Sequence, residues 1–193
     1  MSSGLVGPSG KVELRSEIDS TVAFQHRNDA RIYRWCRQSS PLSWPEHCTW
    51  IQTLPVRKDV RMFSIVRRKV VEDGQEVMGV ELKEQVGVCG FTSIDQLNQR
   101  AEFSLYIGPE YQGKGYGLDA LVALLKHGFK DLNLHRIWGE TFDGNPATKC
   151  FKYAGMTYEG TFRQSYFKWG EWIDSHIYAV LRKDFEEKWK SYY

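Results

Sequence analysis

The residues best suited to chemistry are three glycines in six positions, Gln112-Gly113-Lys114-Gly115-Tyr116-Gly117, between a strand-like run and a helical one. Glycines permit a tight turn in which backbone N–H groups converge at a helix N-terminus, where the helix dipole adds partial positive charge. Such a turn suits a phosphate or pyrophosphate. Read alone, G-x-G-x-G equally fits a loop that merely starts a helix. Two other phosphate loops are excluded by spacing. A Walker loop needs Ser or Thr after its Lys, and Lys114 is followed by Gly115. A dinucleotide fingerprint needs G-x-G-x-x-G inside a parallel βαβ unit, whereas this turn follows a late strand of a meander.

The elements around the turn read clearly. Ala101 to Ile107 alternates, with Ala101, Phe103, Leu105 and Ile107 on one face and Glu102, Ser104 and Tyr106 on the other. Leu118 to Lys130 carries Leu121, Leu124, Leu125 and Phe129 at helical spacing. Upstream, Asp29 to Arg37 reads as helical. Ser43 is an N-cap ahead of Trp44-Pro45-Glu46, opening a helix that runs to about Leu54. Strands follow at Met62 to Val66, at Glu76 to Leu82 after an Asp73-Gly74 turn, and at Gln85 to Ile94. Downstream come a strand at Arg136 to Phe142 and a helix from Asn145-Pro146 to a C-cap at Gly155. A hairpin over Thr157 to Leu181 turns at Trp169-Gly170-Glu171, and a short helix covers Phe185 to Trp189. The order predicts one mixed α/β domain with a single central sheet over residues 12–193, after a flexible lead-in at 1–11.

Gln112-x-x-Gly115-x-Gly117 after a strand resembles the acetyl-CoA signature of the Gcn5-related N-acetyltransferase (GNAT) superfamily. The run from Ala101 to Leu121 and the C-terminal half from Asn145 to Leu181 are similar to the ribosomal-protein (RimJ/RimL-type) branch, with Gly155, Glu159-Gly160, Arg163, Gly170, Asp174 and Tyr178 in matching places. The resemblance implies a curved, mostly antiparallel mixed sheet flanked by helices and splayed between the strands at 101–107 and 136–142. It implies that the pantetheine arm of acetyl-CoA pairs with backbone at Leu105, Tyr106 and Ile107. The pyrophosphate would rest on Gly113, Lys114, Gly115, Tyr116 and Gly117, with Gln112 opening the signature and Asn145 lining the other side. The amine would enter under the helices holding Trp35, Trp44 and Trp50, and a homodimer is an expectation from the family alone.

Acetyl transfer to an amine needs a proton acceptor, and the departing thiolate gains from a proton. Glu102 is the candidate base; its plainer reading is a carboxylate that holds backbone or an arginine. The candidate acids are Thr148, counted from Asn145, and Tyr153. Counted back from Gly155, the family's usual Tyr position holds Phe151, which has no proton to give. Trp138 reads as core, Trp169 and Trp172 as flanking a turn, and Arg163 with Asp174 as a structural pair.

Composition narrows the function classes. The formal charge of +2 is too near neutral to argue for nucleic acid, and Arg67-Arg68-Lys69 reads as a solvated basic run. No run approaches a membrane span, and no signal peptide is evident, so a cytoplasmic location is expected. Cys36, Cys48, Cys89 and Cys150 are scattered without metal-ligand spacing, so no metal is expected. The leading expectation is an acetyl-CoA-dependent N-acetyltransferase acting on a small-molecule amine, an amino-sugar nucleotide or a protein N-terminus. The alternative is a non-catalytic acetyl-CoA-binding or sensing module, which Phe151 keeps open.

Overall fold

The computed structural model describes residues 5–68 and 84–193. Along the chain come β1 (Leu5–Val6), β2 (Val12–Arg15), α1 (Ser20–Asn28), α2 (Ala30–Tyr33) and α3 (Trp44–Thr53). Then follow β3 (Arg61–Arg67), β4 (Gln85–Asp95), β5 (Arg100–Ile107), α4 (Tyr116–Lys130) and β6 (Arg136–Phe142). The last elements are α5 (Thr148–Ala154), β7 (Thr157–Lys168), β8 (Glu171–Leu181) and α6 (Arg182–Lys188). Among the described residues the strands form one sheet in the order β1-β2-β3-β4-β5-β6-β8-β7. Every neighbouring pair is antiparallel except β5 with β6. The expected single mixed sheet is therefore present.

The β5–β6 pair positions the site. It is in register only over Arg100–Glu102 against Arg136–Trp138. Beyond Glu102, β5 stays paired with β4 as far as Ile107, and beyond Trp138, β6 stays paired with β8 as far as Phe142. Each strand thus keeps one outer partner while their facing edges part. Backbone groups at Ser104 to Ile107 on one lip and Gly139 to Phe142 on the other have no ladder partner across the gap, so a polar guest can pair with them.

Opposite faces of the sheet carry different helices. A methyl added at Gly117 would touch Ile107 and Leu105, and one at Gly128 would meet Ile137 and Phe91, so α4 covers the Leu105 face. Leu121, Leu124, Leu125 and Phe129 are fully buried there, as their spacing predicted. On the other face the Tyr106 hydroxyl donates to the Ala23 carbonyl of α1 at 3.3 Å. Glu102, Ser104 and Tyr106 therefore look toward the N-terminal helices.

Several local expectations hold for stated reasons. Ser43 and Glu46 form a reciprocal capping box at α3, with Pro45 in the first turn. Gly155 ends α5 at φ 99°, and Trp169 and Gly170, both at positive φ, make the two-residue turn between β7 and β8.

Others are corrected. Within the lead-in expected at 1–11, residues 5–11 are tied to the rest of the fold: Leu5 and Val6 pair with β2, and the buried Asp119 carboxylate of α4 accepts from the Ser9 amide and the Lys11 amide. The helix expected over Asp29 to Arg37 is only α2, because the Asp29 side chain caps its start and the Lys168 ammonium takes the carbonyls of Tyr33, Arg34 and Cys36. Asp174 accepts from the Gln164 amide at 2.8 Å and makes no pair with Arg163 among the described residues. In the basic run, Arg67 pairs with Glu84 at 3.2 Å; Lys69 and the strand expected at Glu76 to Leu82 lie outside the described residues.

Candidate active site

The glycine turn forms one end of the site. Gly113 at φ 75° and Gly115 at φ 86° hold left-handed conformations that favour glycine. Gly115 is the N-cap of α4 and supplies no side-chain acceptor, so the first N–H groups of the helix keep their donor capacity for an anion. A methyl at Gly113 would meet nothing within 4 Å, which leaves the turn open on that side. Gln112 folds back to donate from Nε2 to the Ile107 carbonyl at 3.0 Å, fixing the turn to the end of β5. Lys114 donates to the Glu110 carbonyl at 2.9 Å.

A cation not found by reading the sequence joins this end. The Lys11 ammonium reaches across to the Lys114 carbonyl at 3.3 Å and lies 3.1 Å from where a methyl on Gly115 would sit. It is delivered there by Asp119, which also accepts from the Ser9 hydroxyl and the Val12 amide.

On the far lip, Asn145 and Thr148 build the start of α5. Asn145 Oδ1 accepts from the Ala147 amide at 2.9 Å, and the Thr148 hydroxyl donates to the Asn145 carbonyl at 3.0 Å. Phe151 is buried in edge contact with Phe103 and Tyr178. Tyr153 is 68% exposed, so the structure does not bring it to the other site residues. Phe151 turns inward and Tyr153, two positions on, turns outward because successive helical residues rotate by about 100°.

Thr141 is a second residue that sequence reading missed. It lies on the stretch of β6 that has no ladder partner on its β5 side, and its hydroxyl is buried with no hydrogen-bond partner among the described residues. An unsatisfied buried hydroxyl costs about 1–3 kcal/mol. Thr141→Val keeps the shape and removes that group, so thermal melting of the ligand-free protein is expected to give an equal or higher Tm. A Tm several degrees lower would reveal a partner that this arrangement lacks.

On the sheet face toward the N-terminal helices Glu102 is 8% exposed. It holds an arginine, as its plainer reading expected: Arg37 Nη1 donates to Glu102 Oε2 at 3.2 Å, and Nη2 donates to Oε1. The same guanidinium donates from Nε to Glu140 Oε2 at 3.1 Å. Glu140 also accepts from the Tyr166 hydroxyl at 2.9 Å and the Ser175 hydroxyl at 2.5 Å. Burial would raise the Glu140 carboxyl, but the bonds from Ser175 and Tyr166 and the Arg37 charge outweigh it and hold it below its ordinary value. Burial also pushes the Tyr166 phenol up, and its bond to Glu140 adds to the shift.

Trp138 is half-buried and lines a cavity of about 470 Å³ with Asp95, Arg100 and Arg136 at the closed end of the β5–β6 pair. A larger cavity of about 1070 Å³ lies between β1–β3 and the far end of α4 and holds neither Glu102 nor the glycine turn. Among the described residues no group of three His, Cys, Asp or Glu side chains is arranged to hold a metal, and no helix is long and apolar enough to cross a membrane.

The donor set fits acetyl-CoA as a co-substrate: free N–H groups for its pyrophosphate, two unpaired strand edges for its amides and an orphaned hydroxyl beside them. Comparison with known proteins points the same way. A spermidine N-acetyltransferase structure from Vibrio cholerae, in complex with CoA and spermine, superposes with a TM-score of 0.80 over 91% of this chain and 98% of that one. At 22% identity that likeness speaks for the fold alone. An uncharacterised N-acetyltransferase of Bacillus subtilis is 40% identical over 46% of this chain and 50% of its own. The spermidine N(1)-acetyltransferase of Vibrio cholerae is 31% identical over 62% of this chain and 65% of its own. The chain thus spans about half to two-thirds of the length of these curated relatives. The family model described as the acetyltransferase (GNAT) domain matches residues 12–157, most of the chain, and the protein therefore belongs to the GNAT acetyltransferase family.

Proposed function

We propose that the protein transfers an acetyl group from acetyl-CoA to a primary amine on a small molecule that carries more than one cationic centre. The observation that carries this reading is the parting of β5 and β6, which opens between the glycine turn and Glu102. Gly113 to Gly117 would hold the pyrophosphate, with Lys11 as an added cation. Leu105, Tyr106 and Ile107 would hold the pantetheine amides, and Asn145 and Thr148 would flank them. Acetyl-CoA supplies an acyl carbon activated by its bond to sulfur.

The chain's own part is proton handling and placement. Glu102 takes a proton from the entering ammonium, which frees a lone pair on nitrogen. A C–N bond forms at the acyl carbon, and the C–S bond breaks with its electron pair going to sulfur. The second N–H proton goes to that sulfur, with Thr148 as the hydroxyl candidate to assist, and the proton on Glu102 returns to solvent. Two facts support a cationic acceptor: paired buried carboxylates face its expected entry, and a relative bears the name spermidine N(1)-acetyltransferase. The likeness to the ribosomal-protein branch is a finer reading, carried by residues 101–121 and 145–181, and makes a peptide N-terminus the competing acceptor.

The test is thermal melting with and without acetyl-CoA, followed by thiol release against spermidine, a monoamine, an amino-sugar nucleotide and a peptide N-terminus. A ligand at about 100 times its Kd adds ~2.7 kcal/mol, which for a chain of this size is a rise of about 5–10 °C. No rise at saturation would overturn the cofactor reading. A rise without turnover of any amine would favour the non-catalytic module, to which the buried Phe151 already lends support.

A further inference from the structure

Glu102 cannot serve as a base in the arrangement described, because both of its oxygens accept from Arg37. The side chains of Glu102 and Glu140 are 11% and 7% exposed, whereas that of Arg37 is 47% exposed. The guanidinium therefore sits over two buried carboxylates from the solvent side, where an incoming amine must arrive. It leaves the group one negative charge in excess, since two carboxylates face a single cation.

The attachment of Arg37 differs along its length. One residue before it, the Cys36 carbonyl accepts from the Lys168 ammonium, which is almost fully buried at the β7–β8 turn and also donates to Tyr33 and Arg34. The backbone is thus pinned just ahead of Arg37, while the side chain is long, half-exposed and followed by the exposed residues Ser39 and Ser40. Swinging the guanidinium away without replacement would leave the Glu102 carboxylate without its partner and Glu140 with only the Tyr166 and Ser175 hydroxyls, at a high desolvation cost. Exchange for another cation avoids that cost.

Resting on the reading of Glu102 as base, we propose that Arg37 is an internal stand-in for the acceptor, filling the Glu102–Glu140 pair until a cationic substrate displaces it. The displaced guanidinium turns to solvent about the pinned backbone. The entering ammonium meets Glu102, to which it yields its proton, and a second cationic centre of the same molecule meets Glu140. A monoamine carries the same single charge as Arg37 but on one compact centre, so it meets one carboxylate and leaves the other without its cation, and the exchange itself selects for acceptors with two or more charges. Arg37 is thus a specificity-determining residue that competes with substrate.

The test compares wild type with Arg37→Met, using spermidine and butylamine as acceptors and calorimetric binding of spermidine alone. Removing the competitor is expected to lower KM for spermidine about tenfold and to tighten its binding equally, with kcat changing less than about threefold. The preference for spermidine over butylamine is expected to narrow. An unchanged or raised spermidine KM in folded Arg37→Met protein would overturn the proposal. If that variant does not fold, Arg37→Lys decides: a single ammonium spans the two carboxylates poorly, so KM should still fall, and a KM that holds or rises overturns it. Failure of the underlying reading looks different, because wild type would then turn over no amine, or Glu102→Gln would keep its kcat.

Discussion

Glu102→Gln is expected to lower kcat for acetyl transfer by about 10²–10⁴-fold, the usual contribution of a positioned general base. Glutamine keeps the volume and one carbonyl oxygen but cannot accept a proton from an ammonium. The residue looks toward the N-terminal helices, away from the face that α4 covers, so KM for acetyl-CoA should move little. The loss should be largest near neutral pH, where the acceptor is almost wholly protonated. It should shrink as pH rises toward the ordinary amine range of about 10, because free amine then arrives without help. Steady-state rates across pH, at saturating acetyl-CoA, read both effects. A kcat within about threefold of wild type, with lowered Tm, would leave Glu102 as a structural partner of Arg37 and nothing more.

That choice of outcomes was already visible in the strand pattern, and the reason it stayed open is physical. Alternation in β5 assigns Glu102, Ser104 and Tyr106 to one face without structural knowledge. What stands over that face depends on contacts with no local signature: Arg37 meets Glu102 across 65 residues and Glu140 across 103. The same distinction runs through the fold. Helix α4 was legible because its leucines repeat on one face, and α3 because Ser43 and Glu46 cap it locally. Helix α1 was not, since only Ala23 and His26 are buried and they make no apolar stripe. In α5 the Asn-to-Gly spacing left Thr148, Phe151 and Tyr153 in contention. Packing of Phe151 against Phe103 and Tyr178 fixed the helix rotation, and that contact lies between elements. Thr141 carries no signal either, because a threonine in a strand is ordinary until the strand on one side of it, here β5, stops short of it.

Asp119→Ala is expected to destabilise the fold by about 3–4 kcal/mol and to weaken acetyl-CoA use as well. The carboxylate is 2% exposed and accepts four bonds, from the Ser9 amide at 2.7 Å, the Ser9 hydroxyl at 2.8 Å, the Lys11 amide at 3.0 Å and the Val12 amide at 3.1 Å. Bonds to a charged group contribute about 1.5–3 kcal/mol each but not additively, and three backbone donors would be left without an acceptor. The first turn of α4 would also lose a favourable negative charge, worth about 0.3–1 kcal/mol. Gly7 belongs to the same clasp, since a methyl there would lie 2.2 Å from the carboxylate. Gly7→Ala should therefore push the carboxylate off its donors and reproduce part of the loss. Freed of Asp119, residues 5–11 would no longer hold the Lys11 ammonium against the glycine turn, and KM for acetyl-CoA should rise about 3–10-fold, with steeper dependence on salt lost along with the charge. Denaturant unfolding and acetyl-CoA kinetics on Asp119→Ala, with Lys11→Met as a control, separate the two effects. Lys11→Met should raise KM while leaving stability within about 0.5 kcal/mol. A fall below about 1 kcal/mol for Asp119→Ala would mean that the β1–β2 segment is held by its strand pairing alone. An unchanged KM in both variants would remove Lys11 from the cofactor end of the site.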